Sequence, residues 1–356
     1  MPTRPARYGG PVNAGEQTID WLYREQLQVD EQWSVRTERG FTWWADQNAQ
    51  TIEILGEETG PDGDVGYLIG VRTEMVTDLD LTASALGDLN EGPMRCAALS
   101  GPVYDAQTRT LSLCSLARVH EEIAPWMTVV IGAAAVTQIA EAGVLGPDLA
   151  QSLGAQPASS GHPQHGRRPE ADEMVYAVSV FVDEGKEPCQ WPAEQFDAAV
   201  DDFMRQPPSL MASAGGQGFT VEFPYGPNSS LCQVIGTQPH PLYGNGLLVL
   251  QRFPYQVASQ EMGVELALTL NGAELTRNVT GYGFGSYVYD NGMLCFTGFV
   301  PNALHRQIAL PNLYFACAAR ARAMSLWLLD ADWDGASFSP EHSAIGRKLM
   351  SDNNNE

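Results

Sequence analysis

The chain has 356 residues, 43 acidic and 20 basic, giving a formal net charge of −23 at pH 7. Hydrophobic residues make up 44% and charged ones 18%, a globular composition rather than a disordered one. A surface this acidic repels phosphate backbones and anionic bilayers, so the sequence predicts no nucleic-acid partner and no membrane insertion.

At roughly 150 residues per domain, the length suggests two domains. The longest apolar stretch, Met127 to Val136, is shorter than the roughly 20 residues a membrane span needs. The opening run MPTRPARYGGPVNAG lacks the apolar segment of a signal peptide. None of the six cysteines (Cys96, Cys114, Cys189, Cys232, Cys295, Cys317) forms a C-x-x-C pair. Most sit in apolar stretches, as buried thiols do in a reducing compartment. The expectation is a cytoplasmic protein.

A helix over Gly15 to Leu27 opens the chain, and Gly40-Phe41-Thr42 begins a strand. Pro61-Asp62-Gly63 reads as a hairpin turn, and Tyr67 to Val71 is apolar enough for a buried strand. An amphipathic helix ends at Leu89-Asn90. Val103-Tyr104-Asp105 closes one strand, Leu111 to Ala117 forms the next, and Met127 to Glu141 forms a helix of small residues. Residues 149–173 are rich in Gly, Pro, Ser and His and read as a linker or mobile loop. Met174 to Val182 (MVYAVSVFV) reads as an extra strand without a place in the template.

The pattern then recurs. Ala193 to Met204 is helical in period, Gly218-Phe219-Thr220 opens a strand, and Pro224 to Asn228 turns it. Leu247 to Leu250, a helix ending at Leu270-Asn271, Val288-Tyr289-Asp290, Leu294 to Val300 and a helix over Leu313 to Leu328 complete the second copy. The offset between copies is 178 at Gly-Phe-Thr, 181 at Leu-Asn and 185 at Val-Tyr-Asp, so insertions fall in loops. The predicted fold is α+β. It has two α-β-β-β-α-β-β-α repeats with antiparallel sheets, paired about a pseudo-twofold axis. The repeats cover 15–148 and 174–330, with an acidic tail over 331–356.

This order of elements, with the repeated Leu-Asn and Val-Tyr-Asp, resembles the YbjN family and the related type III secretion chaperone-like fold, present here in tandem. The resemblance implies a small acidic protein without known catalysis that holds a polypeptide partner or regulates one. Single-domain members commonly dimerise, so it implies that the tandem chain is that dimer made covalent, and it leaves self-association open.

Four sets of residues are site candidates. Asp330-Ala331-Asp332-Trp333-Asp334-Gly335, then Glu341 after five residues, satisfies the D-x-D-x-D-G-x5-E spacing of an EF-hand loop. Asp330, Asp332, Asp334 and Glu341, with the Ala336 carbonyl, would ligate calcium, the one cofactor the sequence suggests. A calcium-responsive regulator is therefore the alternative to a binding module, and an enzyme with an unrecognised site is a third. Gly281, Gly283 and Gly285 alternate along a strand; without a following helix they suit close approach of another backbone rather than a nucleotide. Trp43 and Trp44 point to opposite faces of their strand and would line a core seam or a partner-binding face. His162-Pro163-Gln164-His165 has metal-like spacing but lies in the linker.

Overall fold

The structure is a computed structural model describing residues 13–59, 65–203, 209–277, 283–305 and 310–329. It is α+β, with two antiparallel sheets of matching strand order.

In the first repeat, α1 (Ala14–Trp21) starts at an Asn13 cap and continues as a π-helical turn, Leu22–Gln26. The first sheet is built from β1 (Ser34–Arg36), β2 (Gly40–Trp43), β3 (Gln50–Thr59), β4 (Val65–Thr77), β5 (Gly101–Asp105) and β6 (Thr110–Val119). α2 (Ala83–Glu91) precedes β5, and α3 (Ala124–Leu153) follows β6. β7 (Gln156–Pro157) pairs with the end of β4. A 3-10 turn, Glu173–Ala177, leads into α4 (Val178–Glu184).

The second repeat runs α5 (Ala193–Phe203), β8 (Met211–Ala214), β9 (Gly218–Tyr225), β10 (Asn228–Ile235), β11 (Gly246–Phe253), α6 (Gln260–Thr276), β12 (Ser286–Asp290), β13 (Met293–Pro301) and α7 (Leu310–Leu329). Sheet order is β1-β2-β3-β4-β6-β5 in one repeat and β8-β9-β10-β11-β13-β12 in the other. The registers agree residue by residue. Gly40 pairs with Glu53, Glu53 with Gly70 and Gly70 with Leu116. The matching rung runs Gly218, Ile235, Leu248, Phe299.

Three expectations need correction. Each repeat has four strands before its middle helix, because β1 and β8 add a short outer strand. Three or four residues, Ser-Val-Arg or Met-Ala-Ser-Ala, are too few to show period-two patterning. Met174–Val182 is helical, not a strand. Asp172 caps the turn by accepting from Met174 N, and Met174, Val175, Ala177, Val178 and Phe181 pack on the core at helical spacing. That packing overrides the β-branched propensity. Third, residues 149–173 are neither a loose linker nor a clean boundary. α3 continues through Pro147 to Leu153 and ends on Gly154 at φ +66°, the left-handed conformation glycine favours. The following segment, 155–172, lies down on the first sheet.

Among the described residues α3 is the one helix long and apolar enough to cross a membrane, but 72% of its most apolar window is buried inside the molecule.

The repeats meet reciprocally. Leu116 and Gly283 exchange two backbone hydrogen bonds, at 3.1 and 3.0 Å, while Phe299 N donates to Ala98 O at 3.2 Å. Phe299 is the counterpart of Leu116, and Gly283 of Ala98 by the Val-Tyr-Asp offset, so equivalent positions meet twice in opposite senses, with two bonds on one side and one on the other. That is the signature of a twofold interface, here within one chain. Gly101 faces its own counterpart, Ser286: a Cβ built on Gly101 would lie 3.2 Å from Ser286 Cβ and 2.5 Å from Gly285 O.

Candidate functional site: the outer edges of the two sheets

A terminal strand exposes unpaired N–H and C=O groups that attract another strand unless something blocks them. Among the described residues there are four such edges, and three are covered by different devices.

β12 turns Tyr287 and Tyr289 outward. The Asn271 carboxamide accepts from Tyr287 N at 2.7 Å and donates back to Tyr287 O at 3.4 Å. Asn90 treats Tyr289 the same way, with both bonds at 2.9 Å. Each side chain thus imitates one residue of a neighbouring strand. β5 carries Pro102 at the position of Tyr287, which removes an outward donor. α6 packs along it, placing Gly272 beside Val103 and Leu275 beside Gly101.

β1 is covered in part by segment 155–172. Thr37 N bonds to Gly40 O and Trp44 N to Trp33 O, so alternation turns Ser34 and Arg36 outward. His162 lies across this edge with Nε2 3.4 Å from Ser34 O. Its Nδ1 accepts from Gln164 N and His165 N, which makes Nε2 the protonated nitrogen. His162 and Gly166 exchange backbone bonds of 2.8 and 2.9 Å, closing a small loop with Gly166 at φ +73°. Further along, Arg168 donates to Trp44 O at 2.9 Å and pairs with Asp30 and Asp172 at 3.3 and 3.0 Å. Its guanidinium sits 5.6 Å from the Trp33 ring centroid. Beside it opens a groove of about 580 Å³ lined by Leu27, Trp33, Arg168, Glu170 and Met174.

β8 is the counterpart of β1. Gly215 N bonds to Gly218 O, which sets Met211 and Ser213 toward β9 and turns Ala212 and Ala214 outward. Among the described residues none bonds to those outward groups. Leu210 and Met211 are 58% and 45% exposed. α5, carrying Glu194, Asp197, Asp201 and Asp202, packs directly against the strand.

The proposed site residues are therefore distributed as follows. Trp43 is wholly buried, its Nε1–H on Gln50, and Trp44 is 6% exposed, its Nε1–H on Ser160 of the covering segment. Neither presents a face to solvent. Gly283 and Gly285 sit at the seam between repeats, where the approaching backbone is the chain's own first repeat rather than a foreign partner. Gly281 lies outside the described residues, as do Asp330, Asp332, Asp334, Ala336 and Glu341. His162 commits both ring nitrogens to protein contacts, which leaves it no lone pair for a metal. No group of three or more His, Cys, Asp or Glu poised to hold a metal is found among the described residues.

The sequence reading missed two buried acids. Glu274 and Arg320 form a buried pair with contacts of 2.8, 3.1 and 3.3 Å, completed by Tyr287 Oη–H on Glu274 and by Phe296 beneath the guanidinium. Burial alone would lower the Arg320 pKa, but Glu274 and Tyr287 raise it above the usual value and keep it charged. Glu141 of α3 meets the second repeat: Tyr243 Oη–H donates to it at 2.5 Å and Ser100 at 3.4 Å. Burial pushes its carboxyl up to about 7, against the lowering effect of those two hydrogen bonds. The loop carrying Tyr243 repeats the His162 design. His240 and Gly244 exchange backbone bonds, His240 Nδ1 accepts from Leu242 N and Tyr243 N, and Nε2 donates to Cys96 O. The recurrence of His-Pro-x-x-Gly at 162 and 240 is the sequence signal that would have found both loops.

All six cysteines are free. Burial pushes the Cys114 thiol up to about 12 and Cys295 to about 11, away from nucleophilic use.

Comparison with protein-family models, with curated proteins and with solved structures finds no match to this chain.

Proposed function

We propose that this protein is a non-catalytic module that binds a polypeptide, holding a basic, extended segment as an added strand on β8. The observation that carries the reading is the contrast among the four sheet edges: three are covered, by His162, by Asn90 with Asn271, and by Pro102 with α6, whereas no described residue bonds to the outward groups of β8. Main-chain pairing at an open edge supplies affinity, and side chains on alternate positions supply selectivity. The acidic α5 and the net charge of −23 favour a basic segment and oppose edge-to-edge pairing with a second acidic copy. The YbjN-like resemblance and a cytoplasmic setting belong to the same proposal. The calcium alternative rests on the spacing of Asp330 to Glu341 alone, and calorimetric titration of the whole chain with Ca²⁺ tests it.

The test for β8 is calorimetric titration with an acetylated, amidated Lys-Val-Lys-Val-Arg-Val-Lys peptide. Binding should occur with one peptide per chain and weaken as salt rises. Ala212→Pro, which removes an outward N–H, should weaken it about tenfold or more. Equal affinity for the same peptide with Glu in place of Lys and Arg, or indifference to Ala212→Pro, would overturn the reading.

A further inference from the structure

The segment that covers β1 is chemically unlike its surroundings. In a chain with 20 Lys and Arg among 356 residues, positions 162–168 hold Arg167 and Arg168, with His162 and His165 beside them. This basic stretch lies on a sheet edge, with a histidine on the outward carbonyl of Ser34 and an arginine between two carboxylates and a tryptophan. The counterpart of Ser34, by register with Thr42 and Thr220, is Ala212 on β8. The two edges are thus equivalent; one carries a segment of the chain itself that bears Arg167 and Arg168, and at the other no described residue bonds to the outward groups.

We infer that segment 155–172 is an internal occupant of a second binding edge: a cis-acting strap that a basic, extended polypeptide displaces. This deepens the function proposed above and rests on it for the class of ligand. The strap is anchored along its length by Ser160 N on Gln47 O, Asp172 N on Ala45 O and Gln47 Nε2 on Arg168 O, and two of its side chains tie it to the edge and to Asp30. His162 reaches the edge carbonyl, and Arg168 joins Trp33, Asp30, Asp172 and Trp44 O. Their release uncovers Ser34 O, one face of Trp33 and the ring of Trp44, next to the open groove that borders Arg168. An incoming arginine or lysine would find Asp30, the carboxylate outside the strap that Arg168 now pairs with.

The experiment compares wild type with H162A/R168E by titration with the same basic peptide, while hydrogen exchange follows residues 155–172. The milder R168Q is carried in parallel, and far-UV circular dichroism confirms that each variant is folded. The expected result is faster exchange of the strap in the variants and a rise from one to two peptides per chain, with an A212P background leaving only the new site. Faster exchange with stoichiometry still at one overturns the strap inference and leaves the β8 reading intact. A wild type that binds no peptide sinks the β8 reading; a variant that then binds one peptide still supports the strap site, and a variant that binds none overturns it. Strap exchange unchanged in both variants also overturns it, since His162 and Arg168 would then not be what holds the segment down.

Discussion

Asn90 of the first repeat is bonded to Tyr289 of the second, donor to acceptor and acceptor to donor, each at 2.9 Å. Its counterpart, Asn271, bonds within its own repeat to Tyr287. The asymmetry has a cause: Pro102 stands where Tyr287 stands in the other repeat, so Asn90 has no local N–H to accept from. Asn90→Ala should leave the buried Tyr289 N–H without a partner and its carbonyl with Gln260 Nε2 alone, at 3.4 Å, and cost about 1–3 kcal/mol for the orphaned N–H. Urea denaturation would show a lower midpoint. Asn90→Asp should cost more, because it removes the donor and buries a carboxylate.

Glu141 sets a pH dependence whose sign follows from its raised pKa. Between the ordinary value of 4.5 and about 7 the folded chain holds a proton that the unfolded chain has released. The stabilisation is complete below about 4.5 and is lost as pH rises through 7, amounting to about 3 kcal/mol for a shift of this size. The groups facing it are the hydroxyls of Tyr243 and Ser100, with Cys96 nearby. Glu141→Gln should flatten the fall in unfolding free energy between about pH 5 and pH 8. An unchanged slope would exclude Glu141 as its source.

The Glu274–Arg320 pair predicts a different pattern. Glu274→Ala leaves a guanidinium buried without its carboxylate and should cost about 3–5 kcal/mol. Removing both charges, as Glu274→Leu with Arg320→Met, should recover most of that loss, since a buried ion pair gains little over apolar packing. Chemical denaturation of Glu274→Leu, Arg320→Met and the double variant gives the coupling directly.

Glycines separate into two groups. A Cβ on Gly283 would meet Leu116 O at 2.5 Å, so Gly283→Ala should destabilise the seam. Gly87 and Gly143 lie in helices with no atom within 4 Å of such a Cβ. Each substitution to Ala there should stabilise by about 0.5–1 kcal/mol. Thermal melts distinguish the three.

The duplication was legible because register is local. Gly-Phe-Thr, Leu-Asn and Val-Tyr-Asp mark the same rungs of both sheets. The alternate glycines near 283 were also legible as a place for close approach, although the approaching backbone is Leu116 of the same chain. What stayed hidden depends on contacts distant in sequence. Met174–Val182 has strand-like composition, and only its packing against the first core makes it helical. Segment 155–172 has loop composition, and its order comes from Trp33, Trp44 and Asp30, more than a hundred residues earlier. Asn90 and Asn271 were visible as a repeated motif, but a carboxamide standing in for a strand cannot be read from two letters.

The reciprocal seam at Leu116–Gly283 and Phe299–Ala98 has an outcome that no pair of separate identical subunits can reach. Symmetry obliges a homodimer to treat its two ends alike: both shut, and it can receive nothing there, or both bare, and it risks polymerising. Fusing the halves releases each end to evolve on its own, so a single molecule can keep one end guarded and the other free.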